Sequence, residues 1–436
     1  MEKISKCGII NRMKKILTAS SNPSVIQTVK SACVRYSTYF QTDILSDTEQ
    51  IITYIDYEFP EIKVLDFTSP EIDANRILLE INSDSWLHYG GIIVVCRDQK
   101  QVLEIEEKKD VNILVAQTEK NFTKHFSRLL RILHQNQQFL LSRGMQDTIG
   151  GREIGSFVCG NDPMDIRFYT NFLVGYLYNT NRISENERFS LQMALMELLT
   201  NALEHGNLNI TYEEKSKWMT QGSDILELIA QRAALPEYKD KKISISYAIG
   251  KHVSKFIIKD DGTGFDWRTR TQTSAEASDL HGRGISLSKN LVKNLTYNNA
   301  GNQVSFEIDN LRNKTNTIPV IMKPFDVINF TDKQIVCREN EPSSDLFFIV
   351  SGRFAIYSGR KLISVLTPND LFIGEMAFLL NDRRTATVLS VGNATLIKIP
   401  KSAFLALIRK NPHYGIFLSK LLAQRLNTQT HRNQGK

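Results

Sequence analysis

Three short blocks decide the reading of this chain: Glu197-Leu-Leu-Thr-Asn201-Ala-Leu-Glu-His205, Asp260-Asp-Gly262-Thr-Gly264-Phe265 and Gly282-Arg283-Gly284-Ile-Ser-Leu287, in that order. The first ends a run from Leu191 in which apolar residues recur three and four apart, which predicts an amphipathic helix. Glu197 and Asn201 share one face of it. An amide oxygen suits Mg²⁺ that already carries phosphate oxygens and water, and a nearby carboxylate can orient or deprotonate a hydroxyl. The second block follows the strand-like Lys255-Phe-Ile-Ile-Lys259, and its glycines permit a tight turn with close backbone approach to a ligand. The third precedes the helix-like Ile285-Ser-Leu-Ser-Lys-Asn-Leu-Val292, so its backbone N–H groups can face phosphate at a helix N-terminus. Alone, the first block is a polar helix face and a single Gly-x-Gly is a turn. Three in order point to a nucleoside triphosphate.

Together the blocks resemble the ATP-binding GHKL fold of gyrase, Hsp90, sensor histidine kinases and MutL, and within it most resemble the serine-kinase anti-sigma-factor branch. The resemblance implies an α/β sandwich over residues 152–312 with ATP and Mg²⁺ as cofactors. It assigns Asn201 to the metal, Glu197 to the general-base position and Asp260 to the adenine amino group. Gly262, Gly264, Gly282, Arg283 and Gly284 would enclose the phosphates, and the polar stretch 266–280 would be a lid. A histidine kinase would instead present a phosphoacceptor histidine before Glu-Leu-Arg on a long hairpin, and neither His125 nor His134 has that setting. Gly155-Ser-Phe-Val-Cys-Gly160 reads as a strand, with Asn161 or Asp162 capping a helix from Pro163 that leads to the Glu197 helix. Between the first two blocks, residues 207–242 form an insert with a helical Asp224–Arg232 stretch and a break at Pro236; it would cover the site or meet a partner.

The C-terminal third carries Gly374-Glu375-Met-Ala-Phe-Leu-Leu-Asn-Asp-Arg-Arg384-Thr385-Ala386-Thr-Val388. It resembles the phosphate-binding cassette of cyclic-nucleotide-binding domains, which implies a β jelly-roll barrel with flanking helices over residues 318–430. Asp345-Leu-Phe-Phe-Ile-Val-Ser-Gly352 and Phe354-Ala-Ile-Tyr357 read as two short strands about a glycine turn. One guanidinium answers the single charge of a cyclic phosphodiester with paired hydrogen bonds, and Arg384 fits that part. Glu375 would accept from the ribose 2′-hydroxyl, while Gly374 and Ala386 keep the loop tight. A Thr385 hydroxyl can meet guanine, yet cAMP-binding domains also carry Thr or Ser there, so cAMP and cGMP both stand. A helix over Tyr414–Leu426 would cap the ligand; no helix-turn-helix follows, which disfavours a transcription factor.

In the N-terminal third, strand-like runs at Met13-Lys-Lys-Ile-Leu, Ile62-Lys-Val-Leu-Asp66 and Gly91-Ile-Ile-Val-Val-Cys96 alternate with helical stretches, suggesting a parallel sheet. With Asp66 closing a strand, residues 13–142 resemble the receiver domain of response regulators. Ser20 and Ser21 replace the receiver's acidic pair, Cys96 its switch Thr/Ser, and Lys120 is only a loose match to its lysine. Magnesium would lose most of its charged ligands there, so the expectation is a pseudo-receiver that binds a partner or dimerises. A helix over Thr123–Leu141 would complete it. Met13 is an alternative start of the chain.

The 436 residues predict about three domains at ~150 residues each. No apolar run approaches the ~20 residues needed to span a bilayer, no signal peptide is evident, and five scattered cysteines without a Cys-x-x-Cys read as reduced core thiols of a cytoplasmic protein. Net charge is +7, but the basic residues are dispersed, which predicts a solvated surface and no direct nucleic-acid partner. The expected protein is a signalling kinase for serine or threonine, of the anti-sigma-factor type, regulated by cyclic nucleotide. Its partner would be an anti-sigma antagonist or a sigma factor, and it would be a possible homodimer. The alternatives are a non-catalytic regulator gated by ATP and cyclic nucleotide, and an atypical histidine kinase.

Overall fold

The computed structural model describes residues 13–84, 87–88, 90–107, 112–136, 153–180, 182–222, 224–250, 252–266, 288–310, 318–380, 382–420 and 422–423. They fall into two compact units, one drawn from residues 1–147 and 313–436 and the other from 148–312.

The first unit begins with a doubly wound α/β domain: β1 (Lys14–Ala19), α1 (Pro23–Val34), β2 (Phe40–Leu45), α2 (Thr48–Glu58), β3 (Ile62–Asp66), α3 (Ala74–Ser83), β4 (Gly91–Cys96), α4 (Gln99–Glu107), β5 (Ile113–Thr118) and α5 (Glu119–Gln135). The strands pair in parallel in the order β2-β1-β3-β4-β5. β3 and β4 are buried at every position, the mark of strands covered on both faces. On one face Leu17, Leu65 and Val94 meet Ile51, Ile55, Ile77, Ile81 and Ile105 from α2, α3 and α4. Side chains of Asn22, Asp47 and Asp73 cap α1, α2 and α3. The last helix starts at Glu119, earlier than Thr123, because Thr118 turns directly from β5 into it; residues 137–141 lie outside the described residues.

The second unit holds β6 (Glu153–Cys159), α6 (Pro163–Asn179), α7 (Glu185–Asn201), α8 (Tyr212–Thr220), α9 (Ile225–Ala233), β7 (Ile243–Ile249), β8 (Val253–Asp260), β9 (Lys293–Tyr297) and β10 (Gln303–Asp309). Its sheet is antiparallel, in the order β6-β7-β8-β10-β9. Burial alternates along β7 and β8, so one face is packed. Asp162 caps α6, and Ser184 with Glu187 forms a capping box on α7.

The rest of the first unit is a C-terminal antiparallel roll: β11 (Asp326–Phe330), β12 (Ile335–Cys337), β13 (Leu346–Ser358), β14 (Lys361–Leu366), β15 (Phe372–Ile373), α10 (Glu375–Leu380), β16 (Thr387–Ile399) and α11 (Lys401–Lys410), with a closing helix over residues 413–420. The two strands expected about Gly352 are one: β13 runs through it against β16, with one register shift just before it and one across it. Gly352 has φ +89°, and a Cβ there would stand 2.4 Å from that of Ala394. The glycine makes a bulge that bends the strand instead of a turn that ends it.

Cys33, Cys96, Cys159 and Cys337 are buried and unbridged, and burial pushes the Cys33 thiol up to about 11 and Cys96 to about 12. Cys7 lies outside the described residues. Among the described residues no helix is long and apolar enough to cross a membrane.

Candidate functional sites

At the end of α7 the Asn201 side-chain amide donates to Glu197 Oε1 at 3.0 Å. The four-residue spacing has thus placed both groups on one helix face, and a donated N–H leaves the amide oxygen of Asn201 as its acceptor end. α7 then passes into a turn of π-helix over Ala202–Asn207, a local widening frequent at functional sites. The turn carries Gly206 to the carboxylate of Asp260. A Cβ on Gly206 would lie 2.5 Å from Asp260 Cγ, and one on Gly262 would lie 2.2 Å from Gly206 O. Two chain segments distant in sequence therefore close on one carboxylate, and only glycines fit there.

Asp260 is 8% exposed, and its Oδ1 accepts from Gly262 N at 2.9 Å. Burial pushes its carboxyl up to about 6, while the backbone bonds hold it down in part. The loop is braced from both sides. Asn207, fully buried, accepts from Asp261 N at 2.9 Å and donates to Asn161 Oδ1 at 2.8 Å, and Asn302 O accepts from Asp260 N at 3.1 Å. The Tyr297 phenol is raised by burial, then by the nearby Glu197, Tyr212 and Asp260. Both carboxylates, and Tyr212 at the start of α8, thus act on the one phenol.

The insert is two short helices, α8 and α9. Tyr212 meets His205 in a tilted ring contact at 4.2 Å, Lys215 pairs with the buried Glu204 at 2.6 Å, and Arg232 donates to Leu208 O at 3.1 Å. It is fastened to the π-helical turn beside the site. Gly264, at φ +81°, packs against Ala300. Gly282, Arg283 and Gly284, and nearly all of the expected lid, lie outside the described residues.

In the C-terminal roll, Arg384 is 2% exposed. Its Nη2 donates to Asp345 O at 2.7 Å and Ser343 Oγ at 2.9 Å, and its Nη1 to Gly374 O at 3.4 Å. The guanidinium lies 5.4 Å from the Phe347 ring centroid. Its Nε is buried without a hydrogen-bond partner, and its charge meets carbonyl and hydroxyl oxygens but no carboxylate among the described residues. A buried cation with an unmet donor is costly and suits an anionic ligand. Gly374, at φ +89°, lets the guanidinium in, since a Cβ there would stand 2.0 Å from Nη1. Glu375 opens α10 half-buried, Thr385 is exposed and Ala386 half-buried.

Gly374 and Arg384 are thus brought into contact, as are Glu197 and Asn201, while Asp260 and Gly262 meet Gly206 on the turn that follows Asn201. Sequence reasoning missed Gly206 and Asn207, although they directly follow His205, and missed Tyr297 and Asn302. It also missed Ser343, Asp345 and Phe347 around Arg384, whose roles come only from strand pairing.

Residues 162–308 match the histidine kinase-like ATPase domain family, and residues 327–411 match the cyclic nucleotide-binding domain family. Among curated proteins, the chain is 29% identical over 85 residues to the cAMP-dependent protein kinase regulatory subunit of Dictyostelium discoideum, covering 18% of this chain and 26% of that protein. It is 33% identical over 81 residues to the cGMP-dependent protein kinase of Plasmodium berghei, covering 19% and 9%. Similarity to lysophospholipase NTE1 of Mycosarcoma maydis is 27% over 105 residues, 23% of this chain and 6% of that protein. The chain spans about a quarter or less of each of these relatives. Among solved structures, the Thermus thermophilus catabolite activator protein aligns at 22% identity and TM-score 0.24 over 26% of this chain and 56% of that one. The regulatory domain of Toxoplasma gondii PKA with cAMP aligns at 24% and 0.18 over 19% and 33%. The chain joins a histidine kinase-like ATPase domain to a C-terminal cyclic-nucleotide-binding domain.

Proposed function

We infer that the chain is a cytoplasmic signalling protein in which cAMP or cGMP controls an ATP-dependent serine/threonine kinase of the anti-sigma-factor type. The observation that carries the kinase half is the Glu197–Asn201 pair at 3.0 Å, which ends the helix leading to Gly206 against the buried Asp260. Bound ATP and Mg²⁺ would supply the phosphoryl group and its charge neutralisation. The amide oxygen of Asn201 would hold the metal. Asp260, when ionised, accepts from the adenine amino group, and Glu197 accepts the proton of an incoming protein hydroxyl. Gly262 and Gly264 would approach the triphosphate, and Gly282, Arg283 and Gly284, which lie outside the described residues, are proposed to share that task. The protein substrate is of the anti-sigma antagonist or sigma factor class.

At the C-terminal site the unmet Nε of Arg384 and the cradle at Gly374 support a cyclic phosphate. Glu375 takes the ribose hydroxyl, and Thr385 and Ala386 line the remainder. The α/β domain acts as a pseudo-receiver. Asp66 is fully buried, and its carboxylate accepts from Ser20 Oγ at 2.6 Å, Ser69 Oγ at 2.8 Å, Thr68 Oγ1 at 2.6 Å and Thr68 N at 2.8 Å. Hydroxyls thus stand where a receiver keeps metal.

A binding-only regulator is the second reading, favoured by the same bond: Asn201 already engages one oxygen of the Glu197 carboxylate. The histidine-kinase alternative finds less support, because His134 sits half-buried between the rings of Tyr36 and Tyr39 at 4.9 and 4.2 Å. Transfer of label from γ-labelled ATP to a candidate partner separates them. The expected result is acid-stable label, lost in Asn201→Ala, changed by cyclic nucleotide, and insensitive to it in Arg384→Ala. ATP binding without transfer would leave the regulator, and acid-labile label on His125 or His134 the histidine kinase.

A further inference from the structure

The closing helix of the cyclic-nucleotide roll is packed against the α/β domain more than 300 residues away in the chain. The Tyr414 hydroxyl, on a residue 2% exposed, donates to Asp84 Oδ2 just past α3. Lys420 donates to Tyr57 O near the end of α2, and its ammonium lies 4.7 Å from the Phe59 ring. Phe59 also meets Phe417 edge to face at 5.9 Å, and His413 lies 3.9 Å from Asp56. The platform is itself fixed: Phe59 ends α2 at φ +52°, uncommon for an aromatic residue, and the buried Lys63 ammonium donates to Pro60 O at 3.0 Å and His88 O at 3.4 Å.

The apolar side of this contact continues to the cassette. Leu87 of the α/β domain shares one buried cluster with Tyr414 and Leu418 of the closing helix, Phe404 of α11 and Phe378 of α10. Phe378 and Phe404 meet edge to face at 5.1 Å. Glu375, the residue assigned to the ribose, is the first residue of that same α10. Close-packed interiors pass on displacement instead of absorbing it. A buried Tyr–Asp hydrogen bond is also costly to leave half made, so the contact favours docked or released states over intermediate ones.

We propose that the N-terminal α/β domain is the docked partner of the closing helix and the first part of the chain to receive the cyclic-nucleotide signal, with Phe378, Phe404, Tyr414 and Leu87 as the path from cassette to platform. The proposal rests on the reading of the C-terminal domain as a cyclic-nucleotide site. It adds where the signal goes, and gives the pseudo-receiver a task that needs no phosphorylation at Asp66.

Hydrogen exchange on the full-length chain, with and without saturating cAMP and cGMP, tests it. In the wild type, exchange should change at the cassette and, by about 5-fold or more, the low end of ordinary coupling, at residues 413–420 and at the C-terminal ends of α2 and α3. Tyr414→Phe keeps the ring and removes the bond to Asp84; Lys420→Ala removes an outer contact. Each should weaken the response of α2 and α3 while leaving that of the cassette, and should alter the cyclic-nucleotide Kd by the factor lost in coupling. A cassette that responds while α2 and α3 do not overturns this inference alone. The same holds if both variants respond as the wild type does. No response at the cassette to either nucleotide removes the reading beneath it, and the inference with it.

Discussion

Burial at the end of β8 pushes the Asp260 carboxyl from its ordinary 3.8 up to about 6, and two opposite pH dependences follow. An acid with a raised folded pKa binds more protons folded than unfolded between those values. Its contribution to stability is therefore present below about 4 and is lost as pH rises through 6. On the proposed reading Asp260 must be ionised to accept from adenine, so ATP affinity should fall as pH drops below about 6, approaching tenfold per unit. Titration calorimetry from pH 5 to 8 checks this, and Asp260→Asn should flatten the profile; an unchanged slope in that variant would move the effect to another group. Asp66 makes the contrasting prediction. Its four hydrogen bonds and complete burial leave no oxygen exposed for attack, so intact mass after acetyl phosphate and Mg²⁺ should show no added phosphoryl group. A stable adduct on Asp66 would contradict the hydroxyl cage.

At the scale of elements, Gly352 tests the long strand that the sequence divides in two. Gly352→Ala places a Cβ 2.4 Å from that of Ala394 at φ +89°. The cost should be about 1–3 kcal/mol in denaturant unfolding, by strain at a conformation that L side chains rarely adopt. A neutral result would mean that the bulge relaxes freely. The fully buried run of β4 was legible because a continuous apolar stretch has few other uses, whereas the burial of Lys63 and Asp66 within β3 has no such signal. The Glu197–Asn201 and Gly374–Arg384 contacts lie between residues four and ten apart, close enough for a sequence motif to hold both partners. Gly352 was misread because a glycine between two apolar runs signals a turn and a bulge equally well. The π-helical turn at Ala202–Asn207 was not legible, since nothing in Ala-Leu-Glu-His-Gly-Asn breaks the 3.6-residue pattern. The widened turn carries the approach of Gly206 to Asp260, a contact across more than 50 residues. The surroundings of Arg384 were hidden likewise, because Asp345 lends a backbone carbonyl that carries no residue identity.

For the whole molecule, the division into two compact units that ignore chain order makes a thermodynamic prediction. The α/β domain and the cyclic-nucleotide roll share the cluster of Leu87, Phe378, Phe404 and Tyr414, so they should unfold together, and residues 148–312 apart from them. Scanning calorimetry of the full chain should then show two transitions. A ligand that binds only the native state adds RT ln(1 + [L]/Kd), about 2.7 kcal/mol at one hundred times Kd. For a unit of this size, at about 2–4 °C per kcal/mol, that is a rise of roughly 5–11 °C. Cyclic nucleotide at that level should raise one transition, and ATP-Mg²⁺ the other. The transition raised by cyclic nucleotide must also be the one in which α2 and α3 lose protection from proteolysis. A third transition, indifferent to both ligands and carrying the α/β domain, would show that the docking of residues 413–420 is too weak to join the two domains. In that case Tyr414→Phe should leave every transition where it was, whereas a shared unit loses stability when the Asp84 carboxylate is buried without its donor.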